Sequence, residues 1–324
     1  MDAEVTAKNT ASLTMMALRA HERGGPERLV FEEAPRPVPG PDEICVAVRA
    51  AAITFAELTW PETWEADGID RTPVIPSHEF AGVVSEVGPG VVDLAVGDSV
   101  FGLAPFNRDG AAAQFVVVPS LSVARKDATV SDVDAAAAVL PALTAWEALR
   151  DQAHVAAGQH LLIRGGTGAV GAFLTQFAHA MGAEVTVTVN SASAEARARR
   201  LGADHVVVTT APFEAHDLQG FDVAIDAVGD DVPEWMYASV RPGGQLIVLQ
   251  EPPSQELADK YGVSAIFFVV STRRERLEEL ATLITAGQVE VAIAQTFPLA
   301  AGKAAYESGS LPKPGPGKTV ILVS

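Results

Sequence analysis

A short glycine-rich segment restricts the possible folds of this chain more than any other feature. Residues 164–171 read Arg-Gly-Gly-Thr-Gly-Ala-Val-Gly, which contains the G-x-G-x-x-G spacing. An apolar run, 160–164, leads into the segment, and an amphipathic stretch, 169–181, follows it. A strand, a glycine turn and a helix in this order predict a dinucleotide-binding unit with a pyrophosphate at the helix N-terminus.

The three glycines of this spacing have separate predicted roles. Gly166 allows the tight turn, Gly168 lets backbone amides approach a pyrophosphate, and Gly171 lets the helix pack close to the sheet. A glycine-rich turn that binds no ligand is the structural alternative. The strand and helix around the motif favour cofactor binding by Gly166, Thr167, Gly168, Ala169, Val170 and Gly171.

The same alternation of strand and helix continues on both sides of the loop. A helix capped by Ser131 begins the region, and a second helical stretch, Thr144–His154, follows Pro141. A further helix is expected from Ser193 to Leu201. Six strand candidates are spaced as in a doubly wound parallel sheet: 160–164, 184–189, 205–208, 221–225, 245–249 and 266–270. The fold class is therefore α/β, with a Rossmann sheet over residues 131–287.

The rest of the chain has the sequence pattern of a β domain. Residues 17–130 contain short β-branched runs separated by Pro and Gly turns, and strands recur in 288–324 after the last helix. These late strands exceed the six of the sheet, so we expect them to return to the first domain and make it discontinuous. A cleft between the two domains is then the expected ligand site. Residues 1–16 are expected to form a loose leader.

Composition excludes several classes of function. The chain has 41 acidic and 23 basic residues, a formal net charge of −18, which disfavours a nucleic-acid partner or a polybasic membrane anchor. The single cysteine, Cys45, allows neither an internal disulfide nor a four-thiolate zinc site. With no address signal visible, a cytoplasmic protein with a small-molecule partner is expected.

The end of the second sheet strand bears on which dinucleotide binds. An NAD site usually has an acid about 20 residues after the glycine motif, whereas this strand ends in Asn190-Ser191-Ala-Ser193. These side chains can donate to a 2′-phosphate, and Arg197 follows in the next helix. The pattern favours NADP(H), although a neutral strand end without preference is the alternative.

At this point the chain resembles the zinc-independent quinone oxidoreductases of the medium-chain dehydrogenase/reductase superfamily. The resemblance covers residues 17–324 and implies a GroES-like β-barrel domain beside the Rossmann sheet. It also implies an oxidoreductase that forms a homodimer through the edge of that sheet, near residues 266–270. Its motifs are Gly24–Leu29, Pro39–Glu43, Ala81–Gly88, Val96–Val100, Leu143–Trp146, Asp226–Gly229 and Arg241–Gly244.

Carried over position by position, the resemblance implies contacts along the cofactor. Residues 166–170 would hold the pyrophosphate and residues 190–193 the adenosine 2′-phosphate. Lys318 matches a common position near the C-terminus. The nicotinamide half would be flanked by Thr144, Ala227, Val228, Gly229, Leu249 and Phe268.

The zinc ligands of the metal-dependent relatives are incomplete here. Those relatives have a cysteine near residue 54 and Gly-His-Glu near residue 77, where this chain has Thr54 and Ser77-His78-Glu79. Residues 140–144 offer no Cys, His or Asp for a third ligand, and catalytic zinc needs three firm ones. No metal is therefore expected, and His78 is interpreted as a substrate-pocket residue.

Without zinc, the expected hydride acceptors are quinones and α,β-unsaturated carbonyls, in which conjugation spreads the developing charge. Thr54 is the candidate catalytic residue, in place of the asparagine usual in related reductases; as it is a weak proton donor, water is a possible proton source. Trp60 and Trp64, with Phe267 and Phe268 opposite, would stack on a flat substrate, with core packing as the alternative. An enoyl reductase for a carrier-bound intermediate and a non-catalytic NADPH-binding protein are the competing hypotheses.

Overall fold

The computed structural model describes residues 13–209, 218–229, 231–312 and 314–323. Residues 1–12 of the expected leader lie outside this part. The expected leader boundary at residue 16 is wrong, because the first strand begins at Thr14 and not at Ala17. Met15 is buried and packs in the domain core, so residues 14–16 belong to the folded β structure.

The first part of the described chain is a β domain. Its elements are β1 (Thr14–Ala20), β2 (Leu29–Pro35), β3 (Glu43–Ile53), α1 (Pro61–Trp64), β4 (Glu65–Ala66), β5 (Ile69–Asp70), β6 (Glu79–Val87), β7 (Ser99–Leu103), β8 (Phe115–Pro119) and β9 (Val123–Arg125). Strand β3 is the longest and pairs antiparallel with β6 and β8. Ile44, Val46 and Val48 point to one face of β3 and pack in the domain core, and burial extends to the other face at Cys45 and over residues 50–53.

The middle part of the chain forms the parallel sheet. Its elements are α2 (Asp132–Trp146), β10 (His160–Arg164), α3 (Ala169–Ala180), β11 (Glu184–Val189), α4 (Glu195–Arg200), β12 (His205–Val208), β13 (Phe221–Asp226), α5 (Glu234–Ser239), β14 (Val240–Val248), α6 (Gln255–Tyr261) and β15 (Ser264–Phe267). The strand order is β12-β11-β10-β13-β14-β15. This order reverses beside β10, where a dinucleotide sheet binds its ligand, so the predicted fold class is confirmed.

The C-terminal part contains α7 (Arg274–Thr285), β16 (Ile293–Pro298), α8 (Gly302–Glu307) and β17 (Lys318–Leu322). Strand β17 pairs antiparallel with β3, and β16 pairs with β17, so both lie in the sheet of the first domain. This pairing carries the start of β17, where Lys318 lies, next to the end of β3, where Thr54 follows.

Two predicted helix boundaries are wrong. Pro141 does not separate two helices but lies inside α2, which continues as a π-helix over Glu147–Gln152. The proline ring is buried, and the N–H of Leu140 donates to the Glu79 carboxylate 3.1 Å away, a tertiary contact that local rules do not include. The helix expected from Ser193 is a 3₁₀ turn over Ala192–Ala194 followed by α4.

Helix α2 joins the two domains. It packs against α3 on one side and against β3, β6 and β7 on the other. Its buried alanines therefore belong to one apolar cluster with residues of both sheets. In the described parts of the chain, no helix combines the length and the apolar character needed to cross a membrane.

Candidate active site

A cavity of about 420 Å³ lies between the two domains. It opens at the carboxyl ends of β13 and β14, where an open α/β sheet places its ligand. Its wall combines the end of β3, helix α2, the start of α3 and the start of β17. Among the lining residues are the predicted Thr54, Trp60, Thr144, Ala169, Val170, Ala227, Leu249, Phe267, Phe268 and Lys318.

The glycine loop fits a pyrophosphate at the N-terminus of α3. Gly168 is the cap residue and no side chain accepts from the first turn, so N–H groups that a helix leaves unpaired face outward. A Cβ on Gly171 would come within 2.0 Å of the Gly165 carbonyl oxygen, so this glycine is needed for close packing.

The predicted role of Gly166 needs a correction. The residue with positive φ in the turn is Gly165, at 80°, so Gly165 supplies the left-handed conformation. A Cβ on Gly166 would lie 2.5 Å from Val187 Cβ, so Gly166 allows the loop to approach β11. The G-x-G-x-x-G spacing alone does not show this division, because a second glycine precedes the motif.

The tips of β10 and β13 are tied together beside the loop. Arg164 forms an ion pair with buried Asp226, with Nη1 and Oδ2 2.7 Å apart. Asp226 also accepts from the N–H of Val228, while Gly229 takes a positive φ of 86°. These contacts shape the turn that carries Ala227 to the cavity wall; neither Val228 nor Gly229 is part of that wall.

The residues expected at a 2′-phosphate lie at the end of β11. Asn190 is exposed, and the hydroxyls of Ser191 and Ser193 are 3.1 Å apart. Arg197 forms an ion pair with Glu290, a partner that sequence reasoning did not include. Its Nε and Nη2 are buried and have no hydrogen-bond partner in the described residues.

A hydrogen-bonded triad lies at the cavity wall, with Thr54 and Lys318 in the lining and buried Glu79 behind them. Lys318 Nζ is 2.9 Å from Thr54 Oγ1 and 2.5 Å from Glu79 Oε1. Thr54 Oγ1 is 3.2 Å from the same Glu79 oxygen, and Leu140 N–H donates to the other. Burial raises the pKa of the Glu79 carboxyl, and the Lys318 ammonium opposes that rise. Glu79 was missed as a functional residue because its partner is 239 positions away.

A second buried carboxyl group, Glu57, lies near the triad. Glu57 accepts from Tyr306 Oη at 2.5 Å and from Ser77 N at 2.9 Å, and His78 Nε2 is 3.7 Å away. Burial raises the pKa of Glu57 to about 7 and, with Arg71, lowers the pKa of His78 to about 3. His78 is therefore a neutral interior group.

Two predicted substrate-pocket residues are outside the cavity wall. His78 is 3% exposed and packs edge-on behind Phe106, with ring centroids 5.2 Å apart. Trp64 is 2% exposed, and its indole N–H donates to the Leu58 carbonyl at 2.9 Å, because α1 turns it into the domain core. The core alternative is therefore correct for Trp64.

The aromatic wall is formed by the predicted Trp60 together with Phe106. Their rings meet edge to face with centroids 5.3 Å apart. Phe267 and Phe268 complete the apolar lining from the sheet side. Phe106 was missed, since it follows β7 in a loop without periodic pattern.

The described residues contain no group of three or more His, Cys, Asp or Glu side chains placed to hold a metal ion. Around Thr54 the neighbours from α2 are Leu140, Pro141 and Thr144, which line the same cavity and supply no strong zinc ligand.

Two family models match the chain. The one described as alcohol dehydrogenase GroES-like domain matches residues 40–128, and the one described as zinc-binding dehydrogenase matches residues 169–268. Together with the relatives below, they show that this chain belongs to the medium-chain dehydrogenase/reductase superfamily, and its fold is similar to those of quinone oxidoreductases. It is therefore an oxidoreductase, which argues against the non-catalytic hypothesis, and its Rossmann fold indicates an NAD(P) cofactor.

Several relatives align over most of the chain. A mitochondrial NAD(P)H oxidoreductase of Danio rerio is 31% identical over 87% of this chain and 84% of its own length. A 2-haloacrylate reductase of Burkholderia sp is 28% identical over 90% and 95%. The quinone oxidoreductase structure from Coxiella burnetii superposes with a TM-score of 0.83, at 24% identity, over 96% of this chain and all of that one.

A different group of relatives is much longer. A mycocerosic acid synthase-like polyketide synthase of Mycobacterium tuberculosis is 35% identical over 221 residues, 66% of this chain. The match covers only 10% of that synthase, so the chain is similar to one segment of a large protein.

Proposed function

We propose that this protein is an NADPH-dependent, zinc-independent reductase of quinones or α,β-unsaturated carbonyls. The observation that carries the proposal is the Thr54–Lys318 pair, 2.9 Å apart, in the wall of an otherwise largely apolar cavity at the cofactor end of the sheet. When bound, a reduced nicotinamide supplies a hydride.

The cavity suits an acceptor that develops charge on an oxygen. A hydroxyl and an ammonium group at one point of the wall can hydrogen bond a carbonyl oxygen and stabilise the negative charge that forms there. The flat faces of Trp60, Phe106 and Phe268 fit a conjugated, planar molecule. The activity named for the 2-haloacrylate reductase is also reduction of a conjugated acid derivative.

The test is a panel of benzoquinones, naphthoquinones, cyclic enones and 2-haloacrylates, with NADPH consumption as the readout. We expect turnover with at least one class and loss of turnover in Gly168→Asp, which places a carboxylate at the start of α3. An Ala156→Asp variant, which adds the same charge at an exposed position, is the control. Failure of every acceptor with intact NADPH binding would refute the proposal.

The preference for NADPH is part of the proposal. It is supported by the hydroxyls of Ser191 and Ser193 and by the cationic Arg197 in the following helix, together with the lack of an acid at residues 190–194. We expect Arg197→Ala to raise the Kd for NADPH about tenfold and to change that for NADH little. Glu290→Gln, which frees the arginine, should not weaken NADPH binding. An equal loss for both cofactors in Arg197→Ala would contradict this preference.

A second candidate is an enoyl reductase that acts on a thioester intermediate. The match to a segment of a polyketide synthase favours it. Crotonyl and 2-methylcrotonyl pantetheine thioesters would be compared with the free enones. A kcat/KM at least ten times higher for the thioesters would favour this candidate, and equal or lower values would favour the first.

We also propose a homodimer. Strand β15 lies at the edge of the six-stranded sheet, and an unpaired strand edge needs cover. Light scattering of the purified protein tests the proposal, with a dimer expected and a monomer contradicting it.

A further inference from the structure

Proton supply is the step that the proposed reaction leaves open. Hydride addition to a conjugated carbonyl leaves an enolate or a hydroquinone anion, and a proton must follow. In the described cavity lining the titratable residues are Glu62 and Lys318. Glu62 is exposed on α1, whereas Lys318 is 7% exposed and contacts Thr54.

We propose, building on the function above, that Lys318 supplies this proton through the hydroxyl of Thr54. In this proposal the Thr54 hydroxyl donates to the substrate oxygen, and the Lys318 ammonium donates to the Thr54 hydroxyl. In the structure the Thr54 hydroxyl accepts from the Lys318 ammonium and donates its one proton to Glu79 Oε1. Rotation of that hydroxyl towards a bound substrate redirects the proton to the substrate oxygen while Lys318 still donates to Oγ1, so the pair forms a relay. This assigns a proton source to a chain whose Thr54 alone is a weak donor.

The step balances as follows. The hydride and its electron pair add to the β-carbon of the enone, and the π electrons move to the carbonyl oxygen. That oxygen takes the Thr54 proton as the Lys318 ammonium protonates Thr54 Oγ1. The neutral Lys318 amine then regains a proton from water, and the enol becomes the saturated carbonyl. With a quinone, the same transfer gives the hydroquinone.

The role of Glu79 in the relay is to position Lys318. Glu79 is 1% exposed and absent from the cavity wall, so it does not reach a substrate. One oxygen holds the ammonium and the other accepts from Leu140 N–H. Helix α2 thus fixes the carboxylate, and the carboxylate fixes the lysine beside Thr54.

Replacement of Lys318 by arginine separates proton supply from charge. Arginine keeps a cation beside Glu79, but its guanidinium does not release a proton in proteins. We expect Lys318→Arg to lower kcat for an enone by about 10²-fold or more, as loss of a general acid does. Thr54→Val should lose as much and Thr54→Ser should retain activity. Lys303→Met, an exposed lysine on α8, is the control and should not change kcat.

A second readout needs neither cofactor nor turnover. 4-Nitrophenol is a conjugated oxygen acid, and its absorption spectrum distinguishes phenol from phenolate. We expect wild type and Lys318→Arg to bind the phenolate and Lys318→Met to bind it at least tenfold more weakly. If Lys318→Met does not fold because Glu79 is left unpaired, Lys318→Met/Glu79→Gln replaces it.

The outcomes separate the inference from the proposed function. Wild-type turnover with unchanged enone rates in Lys318→Arg and Thr54→Val would overturn the relay and leave the reductase proposal intact. Absence of wild-type turnover would refute the reductase proposal, and the relay is then tested by 4-nitrophenol. Phenolate affinity that does not depend on Lys318 would overturn it.

Discussion

The β domain buries two glutamates at equal depth, and they have opposite surroundings. Glu57 and Glu79 are each 1% exposed. Glu79 is paired with the Lys318 ammonium, whereas Glu57 is held by two neutral donors, the Tyr306 hydroxyl and the Ser77 amide. A carboxylate with a cation next to it remains charged in the interior, and one without a cation takes up a proton more readily.

This difference matches the position of each group relative to the cavity. The Lys318 partner of Glu79 reaches the cavity wall, and that of Glu57, Tyr306, is 2% exposed within the core. We infer that the first carboxyl group serves the reaction by holding a cation at the substrate, and that the second serves the packing of α8 against the loop that carries Glu57.

The largest effect on stability is expected where the cation of Glu79 is removed. Lys318→Met leaves the buried Glu79 carboxylate without its cation, which costs about 3–5 kcal/mol of unfolding free energy. Lys318→Met/Glu79→Gln removes both charges and should recover most of that loss. Urea unfolding of the two variants measures the difference, and equal losses would show that the ion pair is not the cause.

The next effect is the pH dependence that Glu57 contributes. Because its folded-state pKa of about 7 lies above the usual value of 4.5, the protonated form stabilises the fold below about pH 4.5. This contribution is lost as the pH rises through 7, and its full size is about 3 kcal/mol.

The measurement is the unfolding free energy of wild type and Glu57→Gln at pH 5 and pH 8. Relative to wild type, the unfolding free energy of Glu57→Gln should be higher at pH 8 than at pH 5, by up to about 3 kcal/mol. His78 has the opposite dependence, since its pKa is lowered, but it is present in both proteins. If the difference in unfolding free energy between the two proteins does not change with pH, Glu57 is charged in the folded protein at both pH values and the prediction is wrong.

The sequence predicts the cofactor half of this molecule better than the substrate half. The strand–glycine–helix order and the six strands of a doubly wound parallel sheet are predicted from local periodicity, and residues such as Ala169, Thr144 and Leu249 reach the cavity as expected. In a parallel sheet, position along the chain determines which loops meet at one edge.

The substrate wall depends on contacts between distant segments. The Lys318–Glu79 and Tyr306–Glu57 pairs are 239 and 249 residues apart, so no local pattern reveals them. Trp64 and His78 were expected in the pocket because of their chemistry, and the turns around them direct both inward. Residue type indicates what a side chain can do, but the tertiary fold decides which cavity it faces.

A smaller effect is expected at Tyr306. Tyr306→Phe removes the hydroxyl that donates to Glu57 Oε1 and leaves that buried oxygen without its donor. The expected loss is about 1–3 kcal/mol, and it should be greater at pH 8 than at pH 5, because the charged carboxylate needs the donor more. Tyr261→Phe, at a surface tyrosine bonded to Glu234, is the matched control. Equal losses in the two variants would contradict a special role for the buried pair.

The smallest effect on stability is expected at Thr54. Thr54→Val keeps the shape of the side chain and removes two hydrogen bonds, the one from Lys318 and the one to Glu79, but Lys318 still neutralises Glu79 and Leu140 N–H still binds it. The unfolding free energy should therefore fall by about 1 kcal/mol or less. The relay predicts that the same variant loses enone reduction almost completely. Thr54→Val would then have little effect on urea unfolding and a large effect on turnover. A large loss of stability in Thr54→Val, with activity reduced only in proportion to unfolding, would instead make Thr54 a structural part of the buried pair and remove the functional contrast between the two glutamates.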